Sequence, residues 1–481
     1  MSELCDLGAC ELRRLIGGKE ISPVELLASC MERIEAVNPV LNAIVALDPE
    51  AATRSARAAE AAVQRGDRLG PLHGLPIGIK DLNETAGLRT TYGSRLFADY
   101  VPQHDEPLVA DIRSAGAIIL GKTNTPEFGA GANTVNDVYG FTGNPFDPNR
   151  SCAGSSGGSA VALAAGMVPL ATGSDLGGSL RTPAAYCGVV GFRSTPGLIG
   201  DPTKRFAWWP LSVEGPMARS VEDLALLLSV MAAERAGDAL SQPGERPDFL
   251  DLPEVDLSRL RVAVSADLGF APLDDGIRKV FEDRAQIISG LFAGVERRDP
   301  PLDGATRTFE VLRGIGFLAG YRKLFEEQPD MLGPNVTANV KLGLGFSSID
   351  VAEAMKTQSE TFRHFAKFMD SHDVLICPTA SVSPIAKGQL YPKEINGRPL
   401  ETYISWLAIT YGLTLMGHPV VVLPCGLDDE GMPFGIQLVG HFGRDRELLA
   451  LARSLEAALT DLPGCARPLP DLARLAPGAL T

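Results

Sequence analysis

Residues 168–194 read VPLATGSDLGGSLRTPAAYCGVVGFRS. VPLATGS reads as one strand and VVGFRS as another, with a glycine- and serine-rich loop and the segment LRTPAAYCG between them. A second such run, GSSGGSA at 154–160, leads into AVALAAGM, whose small apolar residues suit a closely packed helix. Glycine lets a backbone approach other atoms closely, but it loses more conformational entropy on folding than any other residue. Two such runs at the ends of core elements therefore need an explanation.

Outward from this stretch the same alternation continues. LNAIVALD (41–48), PIGIKD (76–81), the second half of DEPLVADIRSAGAIILGKTN (105–124), LRVAVS (260–265), VLICPT (374–379), PVVVLPCG (419–426) and FGIQLVG (434–440) have the makeup of buried strands. Helical spacing runs through 4–16, 22–37, 50–66, 220–234, 276–292, 348–370 and 444–459, and Ser22, Pro23 and Glu25 form a good helix start. Strands and helices intermixed in this way predict an α/β fold, a large mixed central β-sheet covered by α-helices on both faces. No repeat of fixed period is visible. The acidic, proline-rich break at about 235–258 reads as a surface excursion, so 1–481 is read as one domain.

Composition narrows the function. A net charge of −15 without any basic block argues against nucleic acid as a partner. No apolar run reaches the ~18 residues of a membrane span, and the N-terminus lacks a basic region followed by an apolar one, so a cytoplasmic protein is expected. The eight cysteines are scattered without a CxxC pair and read as reduced, buried side chains, so neither a metal nor a cofactor is expected.

GSSGGSA admits three functional readings. It lacks GxxxxGK[ST] and GxGxxG, which weakens an anion cradle. It satisfies GxSxG around Ser156, but only His418 and His441 of the six histidines lie near strand ends, and His418 reads as a structural residue. Tight turns with serine caps are the third reading. DLGGS adds chemistry to these. Successive amides of Leu176, Gly177, Gly178 and Ser179 can surround a developing oxyanion, with the Ser179 hydroxyl beside it. Lys80, at the end of an apolar strand, is the candidate base, because burial lowers a lysine's pKa towards neutrality.

These stretches resemble the amidase signature family: LHGLPIGIKDL around Lys80, AGSSGGSAVALAAG around Ser155, and GSDLGGSLRTPAAYCGVVGFRST around Ser179. LNAIVALD, GAIILGKTNTPEF, GPMARSVEDLALLL and PFGIQLVG extend the likeness across most of the chain. The resemblance implies the amidase signature fold, with a signature core at about 70–220 and a variable cover region at about 235–350. It also implies a catalytic triad in which Ser179 is the nucleophile, Ser155 follows a cis peptide bond and bridges, and Lys80 is the base. Asp175 and Arg181 then support the nucleophile, and Ser156 joins the same network. Where the family commonly has GGSSGG this chain has AGSSGG, so Ala153 is expected to alter local packing, and Cys152 beside it reads as packing.

The family hydrolyses amides, in several cases carbamates and esters too, and includes an amidotransferase subunit that releases ammonia from glutamine. In GLIGDPTKRFAWWPLSVE, Phe206, Trp208 and Trp209 are candidates for an apolar acyl or aryl pocket, a poor match for glutamine. The segments FEVLRGIGFLAGYRKLF and VTANVKLGLGFSS are expected to form a helical cover over the site. The expected partner is a small-molecule amide or carbamate, with no nucleic acid and no membrane, and a homo-oligomer is compatible with the sequence. The alternatives are the glutamine-hydrolysing subunit working in a complex and a nucleotide-binding protein using GSSGGSA as an anion loop.

Overall fold

Eleven strands form one twisted sheet in the computed structural model, which describes residues 3–241, 244 and 247–475. In chain order they are β1 Ile44–Leu47, β2 Pro76–Lys80, β3 Ile118–Thr123, β4 Leu170–Asp175, β5 Val190–Arg193, β6 Val213–Ala218, β7 Arg261–Val264, β8 Gly294–Arg297, β9 Val374–Pro378, β10 Val420–Leu427 and β11 Pro433–Val439. They lie in the order β1-β3-β2-β4-β6-β5-β10-β11-β9-β7-β8. The runs β3-β2-β4 and β9-β7-β8 are parallel and the remaining pairs antiparallel, so the sheet is mixed.

Strands β2, β3, β4, β9 and β11 are buried along their whole length, which is why they read as apolar runs rather than alternating ones. On one face they pack against helices such as Pro23–Leu41 and Val221–Met231. On the other, Ala305–Glu327, Ser348–Met369 and Ala408–Met416 enclose a second cluster around Phe309, Phe365 and Tyr411. The expected capping box is formed: Ser22 Oγ accepts from the amides of Val24 and Glu25, and Glu25 accepts from the Ser22 amide at 2.8 Å. Among the described residues, no helix is long and apolar enough to cross a membrane.

The opening stretch folds as β4, a loop, the helix Arg181–Cys187 and β5. The two strands run parallel but are not neighbours, because β6 inserts antiparallel between them. Neither β6 nor β8 is among the strands expected from sequence, nor is Ala408–Met416 among the expected helices, whereas Pro334–Leu344 falls in the segment expected to be helical. The stretch at about 235–258 contains no helix or strand before Leu257 among its described residues; 242, 243, 245 and 246 lie outside them. Phe249 and Leu252 bury against the core and hold it to the surface.

Candidate active site

The parallel strands β2 and β4 deliver their last residues to one place, a position from which an α/β sheet commonly presents its chemistry. Lys80 ends β2, and its amide donates to Thr172 Oγ1 on β4 at 2.9 Å. Its Nζ is fully buried and donates to Ser155 Oγ at 2.7 Å, Ser156 Oγ at 2.9 Å and Ser174 Oγ at 2.9 Å. All three ammonium protons are thus placed on hydroxyls. Burial pulls the Lys80 pKa down to about 7, against the opposing fields of Glu214 and Asp175.

Ser155 and Ser156 lie on the loop before the helix Gly157–Ala164, and the Gly154–Ser155 peptide bond is cis. That helix starts inside the protein. The Gly157 amide donates to Thr134 Oγ1 and the Gly158 amide to the Asn124 carbonyl, so both are spent internally, which speaks against an anion cradle. A Cβ on Gly158 would lie 2.3 Å from the Asn124 nitrogen, so only glycine allows this approach. Ala153 is buried in the left-handed region at φ 59°, a conformation that disfavours a Cβ.

The loop after β4 is built on Asp175. Its carboxylate accepts from Arg181 Nε at 3.0 Å and Nη2 at 3.0 Å, from the Gly178 amide at 2.9 Å and from the Leu180 amide at 3.1 Å. Arg193 Nη1 adds a contact at 3.4 Å. Although burial pushes the other way, the two arginines hold the Asp175 carboxyl well below the ordinary carboxylate range. Arg181 continues to the Thr410 carbonyl, Thr414 Oγ1 and Gln437 Oε1, and Thr410 Oγ1 donates to the Gly177 carbonyl at 2.7 Å. Gly178 sits at φ 124°, where a Cβ would fall 2.5 Å from Thr410 Oγ1. The set of amides expected around an oxyanion is narrowed here. The Gly178 amide is taken by Asp175, leaving Leu176, Gly177 and Ser179.

Ser155, Ser174, Leu176, Gly177 and Ser179 line one cavity of about 820 Å³. Phe206 and Trp209 form part of its wall, as expected, but Trp208 does not: it is 76% exposed and lies outside the cavity lining. The wall is completed by Tyr92, Phe97 and Phe128 on one side and by Phe309, Arg313, Phe317 and Tyr321 from Ala305–Glu327 on another. Of the two segments expected to cover the site, Ala305–Glu327 shapes the cavity directly, while no residue of Pro334–Leu344 lines it.

The amidase family profile matches residues 25–449. The chain belongs to the amidase signature family. It is 34% identical over 456 residues to the acylamidase of Rhodococcus erythropolis, covering 94% of this chain and 95% of that one. It is 33% identical to the A-type subunit of the glutamyl-tRNA(Gln) amidotransferase of Carboxydothermus hydrogenoformans, with 94% and 97% covered. Among solved structures, a bacterial aryl acylamidase of the amidase signature family superimposes with a TM-score of 0.88 at 27% identity, covering 94% of this chain and 96% of that one. The amidase signature fold expected from sequence is the fold observed.

Within this amidase fold several site residues lie beyond those the sequence singled out. Ser174 lies two residues from Thr172 on β4, and both point to Lys80, an alternation the strand pattern contained. Thr410, Thr414 and Gln437 hold the loop from segments far along the chain and carry no local signal, while Arg193 reaches it from the end of β5. Glu214 on β6 is half-buried beside the lysine network, reached by Asn83 Nδ2, with its pKa raised chiefly by desolvation to about 8. His418 Nδ1 donates to the Gly440 carbonyl at 2.8 Å among Phe362, Phe365 and Phe442, away from the cavity. Cys152 is buried with its thiol pushed up to about 12 by desolvation. The eight cysteines are free thiols, and all but Cys10 are buried. Among the described residues, the one cluster of metal-ligating types, Glu3, Cys5 and Asp6, has both carboxylates ion-paired to Arg33.

Proposed function

We propose that the protein hydrolyses the C–N bond of an apolar or aryl carboxylic amide, with carbamates and esters as further substrates, through an acyl-enzyme. The observation that carries this reading is the fully buried Lys80 amine bonded to Ser155 at the edge of a large aromatic cavity that Ser179 also lines. Neutral Lys80 takes the Ser155 proton while Ser155 takes the Ser179 proton, and Ser179 Oγ attacks the carbonyl carbon. The tetrahedral oxyanion is received by the amides of Leu176, Gly177 and Ser179. The same relay returns the proton to the leaving amine, the C–N bond breaks, and water then attacks the acyl-enzyme and releases the acid. Asp175 and Arg181 keep the loop in place, and Ser156 and Ser174 orient the amine. An acylamidase and an aryl acylamidase among the similar proteins favour this substrate class.

A second reading is favoured by the likeness to the glutamyl-tRNA(Gln) amidotransferase chain, and its activity would be ammonia release from glutamine within a complex. Both are tested on one panel of p-nitroanilides, aryl carbamates and L-glutamine. The expected outcome is hydrolysis of apolar anilides by the protein alone, falling on the order of 10³-fold or more in Ser179→Ala and strongly in Lys80→Ala. Turnover of glutamine alone, and only with partner subunits added, would decide for the second reading.

A further inference from the structure

Five arginines are buried among the described residues, and two of them, Arg219 and Arg313, meet no carboxylate. Arg33, Arg181 and Arg193 meet carboxylates, and Arg219 reaches three backbone carbonyls. Arg313 is only 7% exposed and lines the cavity, yet its hydrogen bonds go to neutral groups, from Nε to Asn339 Oδ1 at 2.9 Å and from Nη2 to Tyr403 OH at 2.8 Å. Two of its five N–H donors are thereby used. Its guanidinium lies 4.7 Å from the centre of the Phe317 ring, which fixes the plane without neutralising the charge. Among the described residues no carboxylate ion-pairs with it. The acidic residues on the cavity are engaged elsewhere: Glu84 accepts from Tyr92 OH and Tyr100 OH, Glu106 from Asn83, and Asp201 from Thr203.

An enclosed, oriented cation without a counter-charge is costly unless a ligand supplies the anion, and a planar fork suits a carboxylate. Arg313 stands one helical turn from Phe309, which abuts the Gly177 backbone, so the two points are separated by roughly 6 Å along the helix. Resting on the amidase reading above, we propose that the substrate is an amide bearing a carboxylate about that distance from the scissile bond, and that Arg313 selects it. The carboxylate belongs either to the acyl part, as in a half-amide of a dicarboxylic acid, or to the amine part, as in an acylated aminobenzoate. L-Glutamine would also need an acidic partner beside Arg313 for its ammonium.

Binding to Ser179→Ala protein by calorimetry tests this without requiring turnover. One arm compares adipic acid mono-p-nitroanilide with heptanoyl p-nitroanilide; the other compares hexanoyl-4-aminobenzoate with hexanoyl-4-toluidide. In one arm the charged member is expected to bind about tenfold or more tightly than its neutral partner. Adding Arg313→Met should erase that difference with neutral binding unchanged, and Arg313→Lys should restore part of it. Equal or tighter neutral binding in both arms overturns the proposal. So does an equal loss for both members in Arg313→Met, the mark of a residue that only braces Tyr403 and Asn339. Selective binding with no wild-type turnover of any anilide would sink the amidase reading and keep the carboxylate site; turnover without selectivity would do the reverse.

Discussion

At the scale of single residues, the state of Lys80 sets the acid limb of activity. The amine must be neutral to accept a proton, and its pKa is lowered by burial to about 7, so the neutral form accumulates as pH rises through that value. The expected kcat/KM therefore climbs through about pH 7 and levels off above it. Glu214 acts in the opposite sense to burial, because its negative charge favours the ammonium. Its own carboxyl, however, is pushed up to about 8 by desolvation, so it is largely neutral around pH 7 and Glu214→Gln should leave the acid limb in place. A pH–rate profile of Glu214→Gln checks this; a limb displaced to lower pH would mean that Glu214 is ionised beside Lys80 and acts on it through its charge. Lys80 itself was legible in the sequence because it closes an apolar strand. Trp208 and Trp209 were not separable, since adjacent residues in an irregular loop have no periodicity to say which one faces inward.

At the scale of elements, the loop after β4 holds its shape through a buried ion cluster rather than through packing. Asp175 is shared by Arg181 and Arg193, all three fully buried. Asp175→Asn leaves two buried cations without their counter-charge, a change expected to cost about 3–5 kcal/mol, read as a lower denaturation midpoint in urea. A midpoint within error of the wild type would show that the hydrogen bonds to Thr410, Thr414 and Gln437 suffice. The supporting helix Ala408–Met416 was illegible because it is buried throughout, so its sequence AITYGLTLM has no polar face to reveal a helical period. Strand β6 was hidden differently. Its residues VEGPMA include Gly215 and Pro216, which locally signal a turn, and only pairing to both β4 and β5 makes them a strand. The aromatic wall comes from separate segments, around Tyr92, Phe128, Phe206 and Phe309, so no local pattern could assemble it.

At the scale of the molecule, the net charge of −15 surrounds a cavity that holds an unpaired arginine. Long-range repulsion of an anionic substrate extends about 30 Å at 0.01 M salt but only about 8 Å at 0.15 M. The kcat/KM for adipic acid mono-p-nitroanilide should therefore rise with added salt over that range, while that for heptanoyl p-nitroanilide stays flat. A fall for the charged anilide would mean that the field of Arg313 reaches beyond the cavity mouth. The order of the strands has a consequence for synthesis. β5 pairs with β10, and Arg181 needs Thr410, Thr414 and Gln437, all from the last part of the chain. A ribosome adding about 5–20 residues per second exposes Lys80, Ser155 and Ser179 some tens of seconds before those partners emerge. Throughout that interval the nascent chain carries its reactive side chains without the scaffold that would arm them, so the proposed activity waits for residues 410–437 to emerge.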